Sequence, residues 1–122
     1  MKKVYIAEDD KPLSELMKAV LQKFSGCEFE FFYNGLDLYR RVQDSPPDLL
    51  ILDIILPKLD GLSIAKLIKF SDDYKNIHIL VVSSMISPDI QERVKKAGAD
   101  NYMKKPFNLS EFRNLVSGIL NG

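Results

Sequence analysis

The stretch LLILDIILP, residues 49–57, places a single carboxylate in the middle of an apolar run. Four large aliphatic residues, 49–52, lead directly into Asp53, and three more follow it at positions 54–56. An apolar run of this kind is typical of a strand buried on both faces of a parallel sheet. A carboxylate at the end of a buried strand needs a partner for its charge. The residues that meet Asp53 in space therefore bear directly on function.

Short apolar runs alternate with helical patterns five times along the chain. The runs are VYIA (4–7), FEFF (29–32), LLIL (49–52), IHILVV (77–82) and NYM (101–103). Glu28 and Glu30 alternate with phenylalanines, which indicates a half-exposed edge strand. Strand–helix alternation predicts an α/β fold, a doubly wound five-stranded parallel sheet with five helices covering both faces.

The helices are predicted from apolar residues at spacings of three and four. Gly26 should end the first helix. The apolar stripe of this helix consists of Leu13, Leu16, Met17, Val20, Leu21 and Phe24. The second helix begins at Asn34, and three of its residues should face the core: Leu36, Tyr39 and Val42. The third follows Gly61, with its inward face formed by Ile64, Leu67 and Ile68.

The last two helices have clear start signals. Ser87 suits the N-cap of the fourth helix and Pro88 its first position, and Gly98 should close it. Its apolar face is thin and consists of Ile90, Val94 and Ala97. The fifth opens at Asn108 with Glu111 three residues later, a capping-box-like pair. Its inward stripe is Leu109, Phe112, Val116 and Ile119.

Composition narrows the class of protein. The 122 residues, 46% of them hydrophobic, predict one domain spanning 1–122. Equal numbers of basic and acidic residues, 17 each, argue against direct binding to nucleic acid or to a membrane surface. The single cysteine, Cys27, excludes an internal disulfide and fits a reducing compartment. No run approaches the roughly 20 apolar residues of a membrane span, and Glu8 interrupts the only apolar run near the N-terminus, so we expect a cytoplasmic protein.

Polar residues follow four of the predicted strands at the point where each strand ends. They are Glu8, Asp9 and Asp10 after the first, Asp53 after the third, Ser83 and Ser84 after the fourth, and Lys104, Lys105 and Pro106 after the fifth. Parallel strands joined by right-handed crossovers put their carboxyl ends on one edge of the sheet. Ligands bind at that edge, where the strand order reverses. The sequence therefore predicts a site of acids, hydroxyls and lysine.

The chemistry of that site follows from its charges. Two carboxylates about 4 Å apart repel by about 4 kcal/mol at an effective dielectric constant near 20. Either they share a proton or a cation lies among them. An all-oxygen ligand set suits Mg²⁺ or Mn²⁺. A zinc site is not indicated, because the sequence has no Cys/His cluster and His78 stands alone. A metal and a lysine beside an aspartate would offset the negative charge of a phosphate group, and the aspartate could form an acyl phosphate.

Four segments carry a family resemblance: YIAEDD (5–10), LLILDIILPKLDG (49–61), ILVVSSM (79–85) and AGADNYMKKPF (97–107). Over essentially its whole length the chain resembles the receiver domain of two-component response regulators, of the chemotaxis and sporulation single-domain type. The resemblance implies a flavodoxin-like fold with strand order 2-1-3-4-5.

The resemblance also implies roles for individual residues. Asp53 would be the phosphoacceptor. The metal ligands would be Glu8, Asp9, Asp53 and the backbone carbonyl of Ile55. Ser83 and Lys105 would contact the phosphoryl group, and the Lys105–Pro106 peptide bond would be cis. Ser83 and Tyr102 would form the switch.

What the resemblance implies for function is a signalling phosphoacceptor rather than a conventional enzyme. A sensor histidine kinase or a phosphotransfer protein would donate a phosphoryl group with Mg²⁺ or Mn²⁺ bound, and the domain would assist its own phosphorylation and dephosphorylation. Phosphorylation would change the surface of helix four, strand five and helix five, where a protein target binds or a homodimer forms. The chain ends after the fifth helix at GILNG, so it is either a single-domain regulator or part of a longer protein with an effector domain.

Some residues depart from the family pattern. Serine stands at 83 where threonine is commoner, and Ser84 replaces a usual alanine or glycine and borders the site. Ile55 and Met85 occupy two positions that influence hydrolysis of the acyl phosphate. Because neither side chain can orient water, we expect slow self-dephosphorylation.

Several alternatives stay open. Asp10 is either an N-cap or a metal contact, and Tyr102 is either a switch or a core aromatic. Lys58 and Lys104 fit plain surface lysines, and His78 and Cys27 fit packing residues. Two other functions are a flavin carrier, for which the acidic AEDDKPLS (7–14) is a poor phosphate loop, and a receiver-like interaction module that is never phosphorylated.

Overall fold

A computed structural model describes residues 1–85 and 87–121 of the chain. Strands and helices alternate from end to end: β1 (Lys2–Ala7), α1 (Lys11–Leu21), β2 (Cys27–Phe32), α2 (Gly35–Asp44), β3 (Leu49–Asp53), α3 (Gly61–Lys69), β4 (His78–Ser83), α4 (Pro88–Lys96), β5 (Asn101–Lys104) and α5 (Leu109–Asn121). The strands are all parallel and lie in the order β2-β1-β3-β4-β5. The predicted doubly wound fold and its strand order are confirmed.

The core forms two layers because successive strand residues point to opposite faces of the sheet. Leu50 and Leu52 of β3 pack against α2, α3 and α4. Leu49 and Ile51 pack against α1 and α5. Every residue of β3 is buried, which is the reason that its sequence is apolar without alternation.

β2 is an edge strand, as its alternating glutamates predicted. Glu28 is exposed, and Glu30 forms an ion pair of 3.1 Å with Arg41 of α2. Charged residues on an edge strand discourage pairing with a second chain.

Three predicted helix starts have the expected caps. The side chains of Asn34 and Ser87 accept hydrogen bonds from Asp37 N at 2.8 Å and Ile90 N at 3.1 Å. At α5, Asn108 Oδ1 accepts from Glu111 N at 2.7 Å, and Asn108 Nδ2 donates to Glu111 Oε1 at 2.9 Å. Asp60, for which no capping role was predicted, caps α3 by accepting a hydrogen bond from Ser63 N at 2.9 Å.

The inward stripes were partly wrong. Leu16 and Leu67 are 52% and 44% exposed, because Met17 and Ile68, about 100° further around their helices, face the sheet instead. Leu38 is fully buried in α2, between the predicted Leu36 and Tyr39.

The end of α1 was also predicted too late. The helix stops at Leu21, so Phe24 lies in the turn that follows, and Gly26 adopts a φ of 74° just before β2. Gly98 has a φ of 89° beyond α4, the left-handed conformation typical of a helix end.

The longest helix of the described ranges, α5, has 13 residues. In these ranges no helix combines the length and apolarity that crossing a bilayer requires.

Candidate functional site

The predicted polar residues meet at the carboxyl edge of the sheet. β1 leads into Glu8 and Asp9, β3 ends at Asp53, and β1 and β3 are neighbouring strands. One carboxylate oxygen from each of these three residues lies within 4.8 Å of the others. Glu8 and Asp53 are buried, whereas Asp9 is exposed.

Lys105 reaches this cluster from the end of β5. Its Nζ donates to Glu8 Oε1 at 2.6 Å and to Asp53 Oδ2 at 2.7 Å. The side chains of Lys105, Glu8 and Asp53 are 16%, 2% and 10% exposed, so the three charges are largely removed from water. The Lys105 N–H donates to the carbonyl of Ser83 at 2.9 Å, and the Lys105–Pro106 peptide bond is cis.

Burial and pairing act in opposite directions on the protonation of these groups. Burial raises the pKa of Glu8 above its ordinary value, and the hydrogen bond from Lys105 offsets this only in part. Burial alone would lower the pKa of Lys105, but its bonds to Asp53 and Glu8 outweigh that effect and raise it. Lys105 is therefore a permanent cation at neutral pH.

Asp53 is held through both of its oxygens. Oδ2 accepts from Lys105, and Oδ1 accepts from the backbone N–H of Ile55 at 3.2 Å. The loop beyond Asp53 returns so closely that a Cβ on Gly61 would lie 2.0 Å from the Asp53 carbonyl oxygen. Gly61 was predicted only as a helix boundary, although the Asp–Gly pair at 60–61 is a signal of a tight turn.

Ser83 and Tyr102 are joined through the backbone of one residue, Met85. The N–H of Met85 donates to Ser83 Oγ at 3.2 Å, and the carbonyl of Met85 accepts from the Tyr102 hydroxyl at 2.5 Å. Burial, and then the charge of Asp53, raise the pKa of this hydroxyl. Tyr102 also packs against the core, so its two proposed roles are compatible.

The remaining candidates lie at the periphery of the site. Asp10 occupies the N-cap position of α1 without a side-chain capping bond, and its own N–H donates to Glu8 Oε2 at 3.1 Å. Asp10 and Ser84, both exposed, line a cavity of about 330 Å³ that Lys105 also lines. Ile55 and Met85 line a second cavity of about 340 Å³.

Four residues that were interpreted as non-functional lie outside the cluster. Lys58 and Lys104 are exposed. His78 Nε2 lies 2.5 Å from Asn101 Oδ1 on the neighbouring strand, and Cys27 is half-buried on β2.

The donor set fits a hard divalent cation. Three carboxylates supply oxygen ligands and no thiol or imidazole is among them, which suits Mg²⁺ or Mn²⁺ rather than Zn²⁺. Within residues 1–85 and 87–121, this is the one place where three such groups converge.

Curated relatives match the chain along most of its length. It is 32% identical over 120 residues to "Response regulator MprA" of Mycobacterium ulcerans, covering 97% of this chain and 50% of that protein. It is 29% identical over 119 residues to "Polar-differentiation response regulator DivK" of Brucella anthropi, covering 98% of this chain and 96% of that protein. The chain thus spans half the length of one relative and nearly all of the other.

A solved structure of the Mn²⁺-bound response regulator Rcp1 superimposes with a TM-score of 0.85 at 29% identity, over 98% of this chain and 91% of that one. The family model for the response regulator receiver domain matches residues 4–117. Receiver domains are phosphoacceptors of two-component signalling, bind a divalent metal, and interact with histidine kinases or phosphotransfer proteins and with effectors. This chain belongs to the response regulator receiver domain family.

Proposed function

We propose that Asp53 is the phosphoacceptor and that Mg²⁺ is the physiological metal, with Glu8, Asp9, Asp53 and the carbonyl of Ile55 as its ligands. The observation that carries the proposal is the Lys105 ammonium, which lies between Glu8 and Asp53 at 2.6 and 2.7 Å. Lys105 and a bound divalent metal beside the Asp53 carboxylate would favour its attack on a phosphoryl group, because positive charge offsets the repulsion between two anions.

The reaction moves one phosphoryl group. An oxygen of Asp53 attacks phosphorus, the bond from phosphorus to the donor's histidine nitrogen breaks, and its electron pair returns to the imidazole. Glu8, Asp9 and Asp53 would hold the divalent metal, which when bound would offset the negative charge of the transferring group. Lys105 keeps its proton and holds Asp53 Oδ2 in place, and the N–H of Ile55 orients Oδ1.

The response to phosphorylation starts at Ser83. Its hydroxyl now accepts from Met85 N, and we propose that it turns to donate to the phosphoryl group. That motion frees the N–H of Met85, the residue whose carbonyl accepts the hydrogen bond from Tyr102. α4 follows the loop containing Met85 and buries only Ile90 and Val94, so it is weakly anchored. The output surface is α4, β5 and α5.

The partners follow from this mechanism. The phosphodonor is a sensor histidine kinase or a phosphotransfer protein, and the receiver of the signal is a protein target, an effector domain or a second copy of this chain. We treat residues 1–122 as one receiver domain that assists both formation and hydrolysis of its acyl phosphate. The compartment we propose is the cytoplasm, consistent with a lone cysteine.

Two other functions fit less well. A flavin phosphate would meet the carboxylates of Glu8 and Asp9 after β1, where a flavin carrier needs neutral donors. A receiver-like module without phosphorylation would have no need for a buried Lys105–Asp53 pair, whose charges are costly to remove from water.

Intact-mass measurement tests the proposal. After incubation with Mg²⁺ and acetyl or carbamoyl phosphate, we expect a gain of about 80 Da, one phosphoryl group, that is absent in Asp53→Ala. Asp72→Ala, which removes a fully exposed aspartate, is the control and should gain the same mass. A phosphorylated histidine kinase domain (the kinase phosphodomain) is used as a second donor, because Ser84 borders the site that a small phosphodonor has to enter. Labelling of Asp53→Ala, or no labelling from either donor, would contradict the proposal.

A further inference from the structure

Gly35, the first residue of α2, is in direct contact with the loop that leads from β3 to α3. Its backbone N–H donates to the carbonyl of Pro57 at 3.1 Å. The N–H groups in the first turn of a helix have no partner within the helix. Here one of them binds the loop, so α2 is connected to the segment beyond Asp53.

The contact requires glycine. A Cβ built on Gly35 would lie 1.8 Å from the carbonyl oxygen of Leu59 and 2.8 Å from Ile64 Cδ1. The nearer atom belongs to the backbone and cannot rotate away as a side chain can. Any other residue at position 35 would therefore push apart α2 and the loop.

The part of the loop that Gly35 contacts is a strained turn. Leu59 N donates to Pro57 O at 2.8 Å, across Lys58 with a φ of 69°. A hydrogen bond between residues two apart, with positive φ at the centre, belongs to the rare and strained form of γ-turn. Such a conformation persists only where its surroundings determine it. The Pro57 carbonyl accepts from both Leu59 and Gly35, so Gly35 is part of those surroundings.

The same loop carries Ile55. Its N–H binds Asp53 Oδ1, and its carbonyl is the proposed metal ligand. The loop is fixed at one end by the bond from Gly61 N to Ile54 O at 2.9 Å, and in its middle by Gly35. Between these two points Ile55 has little freedom.

We propose that Gly35 is a positioning residue for the divalent metal: by holding the strained turn at residues 57–59, it sets the place of the Ile55 carbonyl. This inference rests on the proposed function, because it assumes that the metal binds at Glu8, Asp9 and Asp53. It assigns to α2, which contributes no ligand, a part in metal affinity.

Metal binding by Gly35→Ala tests the inference. Mn²⁺ titrations followed by electron paramagnetic resonance give the Kd of the wild type and of the variant. We expect affinity to fall by about tenfold or more, the range usual for residues that orient a ligand. Gly118→Ala is the matched control, since a Cβ there meets nothing within 4 Å, and it should bind as the wild type does.

Asn34→Ala addresses the same contact without adding a clash, in case Gly35→Ala fails to fold. It removes the cap that holds the start of α2, the bond from Asp37 N to Asn34 Oδ1. We expect a smaller loss of Mn²⁺ affinity and faster amide hydrogen exchange at Leu59 and Ile55, with exchange in α5 unchanged.

The proposed function and the role of Gly35 are contradicted by different results. A wild-type protein that binds no Mn²⁺ would remove the proposed function. A wild-type protein that binds Mn²⁺, with folded variants of Gly35 and Asn34 that bind it equally well, would overturn the role of Gly35 alone.

Discussion

Lys105 balances the charges of the site, because its ammonium is hydrogen bonded to two carboxylates that would otherwise repel each other. Glu8 is 2% exposed, so water cannot solvate its charge. A buried charge whose partner is removed becomes protonated or binds another cation. The same ammonium that stabilises the resting site is therefore placed to bind an incoming phosphoryl oxygen.

Replacing this lysine should impair phosphoryl transfer. Lys105→Met keeps the unbranched side chain and removes the charge, so the rate of Asp53 phosphorylation should fall by about 100-fold or more, as for other lost charge-stabilising donors. The rate is followed by intact mass with the kinase phosphodomain as donor. Lys104→Met, at the exposed neighbouring position, should react as the wild type does. A Lys105→Met protein that reacts equally fast would exclude the proposed role.

The two positions expected to influence hydrolysis of the acyl phosphate, Ile55 and Met85, carry side chains without a charged or hydroxyl group. Ile55 is 59% exposed and Met85 is half-buried, and both line the same cavity. An aliphatic side chain cannot hydrogen bond to an attacking water, and a thioether accepts only weakly, so neither orients it. The acyl phosphate of the wild type is therefore expected to be long-lived.

An amide at either position should shorten that lifetime. We expect Ile55→Asn and Met85→Asn to raise the hydrolysis rate by at least about tenfold, since a side-chain amide can hold water in line with phosphorus. The loss of phosphoryl mass over time measures it. Leu67→Asn changes an exposed leucine of α3 and is the control. A wild-type half-life of seconds would contradict the prediction at the outset.

At the scale of secondary-structure elements, Lys69 joins α3 to two strands. Its Nζ lies 2.7 Å from Asp100 Oδ2, just before β5, and donates to the carbonyl of Ile77, just before β4, at 2.6 Å. Asp100 also accepts from Ile79 N at 2.8 Å. These bonds hold the amino-terminal edge of the sheet, opposite the site.

The same group should make stability sensitive to acid. Burial alone would raise the pKa of Asp100. Its bonds to Lys69 and Ile79 lower that pKa by more than burial raises it, so the pKa in the folded protein is below the ordinary 3.8. A carboxyl with a depressed pKa stabilises the fold above its ordinary pKa, and that contribution is lost as pH falls through the folded-state value.

Asp100→Asn should therefore cost stability near neutral pH and little in acid. Urea unfolding at about pH 6 and about pH 3 measures the free-energy difference from wild type, and we expect it to shrink at the lower pH. Asp73→Asn, at an exposed aspartate, should show no such change. A difference that grows in acid would mean that the sign of the pKa shift is wrong.

At the scale of the whole molecule, the fold brings together residues from β1, β3, β4 and β5 that are up to 97 positions apart in sequence. No single one of these strands carries all the residues of the cluster. Ligand binding at the cluster is therefore expected to stabilise the entire domain, because the unfolded chain has no such site.

A thermal shift with metal tests this coupling and separates two neighbouring aspartates. At a Mg²⁺ concentration a hundredfold above Kd, the folded state should gain about 2.7 kcal/mol and Tm should rise. Asp9→Asn should lose most of the rise, because Asp9 belongs to the carboxylate cluster. Asp10→Asn should keep it, since the Asp10 side chain lies at the N-cap position of α1. Equal losses in both variants would show that Asp10 binds the metal as well.

Much of the fold could be predicted from the sequence because its signals are local. Apolar runs with period two or without a period mark strands, and caps such as Asn34, Ser87 and Asn108 mark helix starts. The inward faces were less predictable. Leu16 and Met17 are equally apolar neighbours, and only the direction of the sheet decides which of them is buried.

The sequence by itself determined the alternation of elements, the edge position of β2, and the residue types that end each strand, because side-chain chemistry and chain polarity are enough to place strand ends on one edge. The tertiary structure alone decided the contacts that make those residues a site. Three contacts join segments whose separation is set by packing: the Lys105 ammonium between two acids, the backbone of Met85 between Ser83 and Tyr102, and the approach of Gly35 to Leu59. Backbone carbonyls and N–H groups take part in the last two of these contacts, and because nearly every residue type carries both groups, the sequence does not show where they meet.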